Sequence, residues 1–149
     1  MKGDESMNDN LCIEKQREIH AAPQTVWNVL TGPDFIKVWL GVTIGTDWQI
    51  GHPITFSFTW DGKAFEDKGN LLALEAPITF SYDYWSGLSG TTDSPENYSV
   101  IRFTLDEKDQ TTILHLHHSN FSTPTMYEHS DRNWEETLDT VKKLAEAHS

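Results

Sequence analysis

The chain has 149 residues, the size of one domain able to bury roughly 70% of its unfolded surface. Twenty-three acidic residues against eleven basic give a formal charge of −12, which repels phosphate backbones and anionic lipid surfaces and excludes nucleic acid and membrane as expected partners. The single cysteine, Cys12, cannot form an internal disulfide and suits a reducing, cytoplasmic compartment, and no run of residues approaches the ~18 apolar positions of a membrane span.

Residues 1–9, MKGDESMND, are small and polar and predict a frayed, disordered terminus, leaving 10–149 as a single domain. From Leu11 to His20, Leu11, Ile13, Lys15, Arg17 and Ile19 share one parity, which predicts a strand with a partly polar inner face and a half-buried Cys12. Pro23 opens a short helix, QTVWNVLTG, ended by Gly32 and Pro33, and a further helical turn, DFIKVW, runs to Trp39.

The middle of the chain is β-rich. His52 to Trp60 alternates, with Ile54, Phe56, Phe58 and Trp60 on one face. Asp61-Gly62 is a hairpin turn of the strongest sequence type, so its partner strand runs from Lys63 to Glu75, with a bulge or bend at Gly69. After the Ala76-Pro77 turn, Ile78, Phe80, Tyr82 and Tyr84 alternate in a further strand. Residues 86–97, SGLSGTTDSPEN, read as a mobile loop. Strands from Tyr98 to Leu105 and Thr111 to Phe121 follow, joined by the charged turn DEKDQ.

The closing stretch, 125–147, has the period of an amphipathic helix: Tyr127, Trp134, Leu138, Val141, Leu144 and Ala145 on one face, Glu135, Glu136, Asp139, Lys142, Lys143 and Glu146 opposite. Thr125 and Glu128 form a candidate capping box, and Ser130 is a second candidate start. The curved sheet leaves one apolar face uncovered, and this helix is the element available to cover it.

The run from Ile19 to Trp39, IHAAPQTVWNVLTGPDFIKVW, resembles the opening signature of the SRPBCC or START-like superfamily. Within it, the similarity is closer to the branch of the C-terminal domain of the activator of heat-shock-protein-90 ATPase (AHSA-like). Further matches are Ile50 to Phe56, Gly69 with Leu71, Thr112 with Leu114, Leu116, His118 and Phe121, and Asn133 to Leu138. The resemblance implies an α+β helix-grip fold, a curved antiparallel sheet of about six or seven strands around a long C-terminal helix, in many members with a cavity between them. It also implies a chaperone as one kind of partner. The resembled co-chaperones carry an additional N-terminal domain, and their usual doubled Trp is here Val38-Trp39-Leu40.

The aromatic positions Phe56, Phe58, Trp60, Phe80, Tyr82, Tyr84 and Phe103 fall on the expected concave face, where Trp39, Trp134, Leu138 and His118 would join them in lining a ligand site. Solid packing of the same rings is the alternative. His118 reads either as a core histidine or as a polar ligand anchor. His115 and His117 lie on the opposite face from it, so the three histidines do not converge as metal ligands, and no metal or cofactor is expected. Arg17 either points inward, paired with a carboxylate of the protein or with an anionic group on a ligand, or reaches solvent through a frayed strand end, the simpler reading. Glu66, Asp67, Glu75 and Asp83 read as solvated strand and turn residues.

No nucleophile, base and orienter set appears, which leans the reading away from an enzyme and assigns no catalytic residue. The expected function is binding of a small hydrophobic or aromatic ligand between sheet and helix. The alternatives are a co-chaperone-like interaction module and a cyclase or hydrolase using His118 and a tyrosine, in a monomer or homodimer.

Overall fold

Asp61 and Gly62 both adopt positive φ, 53° and 75°, the pairing of a type I′ turn whose twist suits a two-residue hairpin. That turn fixes the register of β3 (Pro53–Trp60) on β4 (Lys63–Glu75), with Trp60 opposite Lys63, Phe58 opposite Phe65 and Phe56 opposite Asp67. The structure is a computed structural model and describes residues 11–149; the expected frayed terminus lies outside the described residues.

The other elements follow the expected order. β1 (Cys12–Ile19) leads into α1 (Pro23–Thr31) and α2 (Pro33–Trp39), then a short β2 (Thr43–Thr46) that has no strong sequence signal. β5 (Thr79–Tyr84), β6 (Ser99–Lys108), β7 (Thr111–Ser119) and the 24-residue α3 (Pro124–Ala147) complete the chain. The antiparallel sheet has seven strands in the order β1-β7-β6-β5-β4-β3-β2. Its concave face grips α3, so the fold is α+β helix-grip, as the resemblance implies.

Three local expectations are corrected, for the helix start, the β6–β7 turn and Cys12, and the 86–97 loop has local structure of its own. The helix begins two residues before the expected box: Thr123 is the N-cap, its hydroxyl accepting from Met126 N at 3.1 Å, and Pro124 presets the first helical φ. The turn between β6 and β7 is only Asp109 and Gln110, both at positive φ, because Asp106, Glu107 and Lys108 continue the ladder. The 86–97 tract folds into two 3₁₀ turns, Gly87–Ser89 and Pro95–Asn97, tied by Trp85 to Thr91 and Tyr98 to Asp93 hydrogen bonds and a Lys68–Asp93 ion pair. Cys12 is exposed, since its parity is opposite to that of buried Ile13 and Ile19.

Gly69 marks a close approach. A Cβ there would stand 1.8 Å from the Asp83 carbonyl oxygen, and the ladder between β4 and β5 slips between Leu71 and Ala73. The first half of β4, Lys63 to Asn70, pairs with β3, and the second half, Leu71 to Glu75, pairs with β5.

The other edge of the sheet is held to the helix by charge. Arg17 stays on the inner parity and pairs with Asp139 Oδ1 (Nε, 2.9 Å) and Glu135 Oε1 (Nη2, 2.6 Å), so the frayed, solvent-reaching alternative is overturned. Lys15 adds contacts to Asp131 at 3.1 Å and to Glu135. Asp131, Glu135 and Asp139 are one helical ridge, four residues apart, which is why one edge strand can meet all three. Further along, Lys142 donates to the Glu18 carbonyl and Glu146 accepts from His20 N at 3.0 Å.

Among the described residues no helix is long and apolar enough to cross a membrane.

Candidate functional site

The concave face divides into two halves. Beneath α1, α2 and the C-terminal half of α3 it is filled. Phe80 stacks on Phe103 at 6.0 Å, Trp39 meets Phe103 edge-on, and Leu138, Val141 and Ala145 of the helix are buried. Trp39 Nε1 donates to the Val29 carbonyl at 2.8 Å, which satisfies the indole within the core. Trp39, Phe80, Phe103 and Leu138, expected as ligand-lining residues, lie in the core at this end, under α1 and α2, and are not among the residues that line the pocket at the other end.

Beneath the N-terminal half of α3 the face is open. A pocket of about 400 Å³, within the ordinary range of ligand sites, is walled by Phe56, Phe58, Tyr82, Tyr84, Ile101, His118 and Trp134. Leu40, Gly41 and Val42 after α2, Thr59 and Trp60 at the hairpin tip, and Ser130, Asn133 and Thr137 of α3 rim it. The structure thus brings Phe56, Phe58, Trp60, Tyr82, Tyr84, His118 and Trp134 of the expected set together. Trp60 is 61% exposed, because it is the last residue before the turn and no element lies beyond it. It flanks the pocket as a rim residue.

His118 is held on both ring nitrogens. Trp134 Nε1 donates to Nδ1 at 3.0 Å, so the proton sits on Nε2 and is directed at Ser99 Oγ, 2.9 Å away. Burial, with a smaller push from neighbouring His117, lowers its pKa to about 3, and the ring is neutral at physiological pH. This geometry matches the core reading of His118: its face contributes to the wall while its nitrogens are committed to the protein. His115 and His117 project from the other face, toward Asp106 (3.0 Å) and Glu14 (3.8 Å).

Asp67 corrects the expectation of a solvated carboxylate. It is 4% exposed and lines the pocket, with the Tyr84 hydroxyl donating to its Oδ2. Among the described residues nothing donates to its Oδ1, and no polar side-chain atom is sealed off without a partner, so this oxygen opens on the pocket. The Tyr82 hydroxyl has no described partner either. Burial raises the pKa of both tyrosines far above the ordinary value, with Asp67 adding to the effect on Tyr84, and both present neutral hydroxyls. The signal for Asp67 was legible: the Asp61-Gly62 turn puts residue 67 opposite Phe56 and on its face.

Comparison with known proteins supports the same architecture. The family described as "Activator of Hsp90 ATPase homolog 1-like protein" matches residues 20–146. The chain belongs to this family. Among solved structures of the fold, ChR145 from Cytophaga hutchinsonii is 34% identical, with a TM-score of 0.79 over 93% of this chain and 96% of that one. The family's fold also recurs in MLL2253 from Mesorhizobium loti, with 24% identity, a TM-score of 0.74, and 93% and 98% coverage. A third, titled the Aha1 dimer from Colwellia psychrerythraea, is 23% identical with a TM-score of 0.70, covering 91% of this chain and 96% of that one. No curated protein sequence matches the chain.

Proposed function

We propose that this member of the family binds a small, largely hydrophobic molecule in the pocket between the sheet and the N-terminal half of α3, in a cytoplasmic setting. The observation that supports it is the division of the concave face: aromatic rings are packed solid at one end, while Phe56, Phe58, Tyr82, Tyr84 and Trp134 border about 400 Å³ at the other. Rings that served packing alone would be covered by a loop or side chain at both ends. Because His118 has both nitrogens engaged, the proposal is a binder and not an acid–base catalyst acting through His118.

Native mass spectrometry of the purified protein, with a thermal-shift screen of apolar and aromatic compounds, tests the reading. A ligand at one hundred times its dissociation constant stabilises by about 2.7 kcal/mol. Absence of both a bound species and any stabilisation overturns it.

The family description, with the charge of −12, supports a second reading as a surface that docks on a chaperone. A pull-down with the chaperone at low salt, where electrostatic association is strongest, tests it; an empty result counts against it.

A further inference from the structure

Asp67 is the one acidic side chain that lines the pocket, and no lysine or arginine lines it. A nearly buried carboxylate with a single hydroxyl partner is in a costly environment unless a cation or further donors complete it. Nothing among the described residues does so: Lys68, the adjacent cation in sequence, points to the other face and pairs with Asp93. Asp67 shares the pocket wall with three rings, Phe56, Tyr82 and Tyr84. Phe56 is the cross-strand neighbour of Asp67, and its ring centroid lies 5.3 Å from that of Tyr82 and 5.4 Å from that of Tyr84.

We infer that the pocket is built for a cationic amine carried on an apolar body, with Asp67 Oδ1 accepting from the ammonium group and the Phe56, Tyr82 and Tyr84 rings surrounding it. This rests on the ligand-binding reading above and names the ligand class for it. The chemistry is specific in three respects. An ammonium supplies the donor and the charge that the carboxylate lacks, in a charge-assisted hydrogen bond. Ring faces attract a cation, and do so more strongly where water is excluded. Tyr84 occupies Oδ2, so one carboxylate oxygen stays directed at the ligand while the other is anchored. A carboxylic acid ligand would bring a second negative group beside Asp67 and is disfavoured. The chain's overall charge of −12 adds attraction for cations approaching from solvent.

The test uses the whole chain and three matched probes, phenethylamine, phenethyl alcohol and hydrocinnamate, with Nile red displacement reporting pocket occupancy. The wild type is expected to bind the amine about tenfold or more tighter than the alcohol, with the acid weakest. Asp67→Asn is expected to abolish that preference, read as the ratio of amine to alcohol affinity in the folded variant. Because Asp67→Asn could fail to fold, the wild-type ranking is read on its own. Nile red and alcohol binding with an equal or weaker affinity for the amine overturns the inference and leaves hydrophobic ligand binding standing. An amine preference that survives in folded Asp67→Asn also overturns it. If neither Nile red nor any probe binds, both readings fall.

Discussion

The indole N–H of Trp134 donates to Nδ1 of His118 over 3.0 Å, joining the closing helix to the last strand at the pocket wall. This bond selects the tautomer of the histidine and requires the ring to stay neutral, because a protonated Nδ1 could no longer accept.

The pH dependence of stability follows from that requirement. The His118 pKa is about 3 in the folded chain against an ordinary value of 6.5, so below 6.5 the unfolded chain takes up a proton that the folded one refuses. Stability from this group is complete above about pH 6.5 and declines as pH falls toward 3, by about 1.4 kcal/mol per unit. Urea melts across this range should show a shallower slope in His118→Gln, whose amide can accept from Trp134 and donate to Ser99 without titrating.

Trp134→Phe should cost about 1–3 kcal/mol, since it keeps most of the ring contact with Phe103 but leaves Nδ1 of His118 without its donor. Trp134→Ala should cost about 3–5 kcal/mol and weaken ligand binding as well, because the same side chain fills core and walls the pocket. Denaturant melts paired with Nile red titration measure both effects. A Trp134→Ala protein that lost neither would mean that the helix packs elsewhere.

Trp60→Ala separates the two effects. The side chain is largely exposed and should change stability by no more than about 0.5 kcal/mol. As part of the pocket rim it should nevertheless weaken Nile red binding.

Gly69→Ala should destabilise by at least about 2 kcal/mol, because the added methyl meets the Asp83 carbonyl at 1.8 Å and a paired backbone has no free direction in which to retreat. Thermal melts measure it. The neighbouring bond from Asn70 N to Asp83 Oδ1, at 2.6 Å, would be displaced in the same movement.

Arg17→Ala should cost about 1 kcal/mol, and less at high salt, since the carboxylates it meets remain half exposed. Glu135 takes part in the same ladder: Lys15, and after it Arg17, hold its carboxyl below the ordinary value of 4.5. Its contribution is present above that value and disappears as pH falls through the lowered one. Melts at two salt concentrations, and at pH values on either side of that range, check both statements.

The sequence by itself determined the main strands and helices, β2 aside, and the face each one buries. Alternation placed Phe56, Phe80, Tyr82 and Leu114 inside, the Asp61-Gly62 turn set the hairpin, and the helical period chose Trp134, Leu138 and Val141, because these are local consequences of backbone geometry. Local pattern also made the family resemblance visible from Ile19 to Trp39. Which inward residues meet space and which meet other side chains was decided only by the tertiary structure. Phe80 and Tyr82 are indistinguishable by parity, yet α1 and α2 cover the end of the sheet that holds Phe80 and leave the other end open. Asp67 shows the same limit from the polar side. Its parity is readable, but its burial depends on Tyr84 from the next strand and on the pocket walls that the closing helix completes.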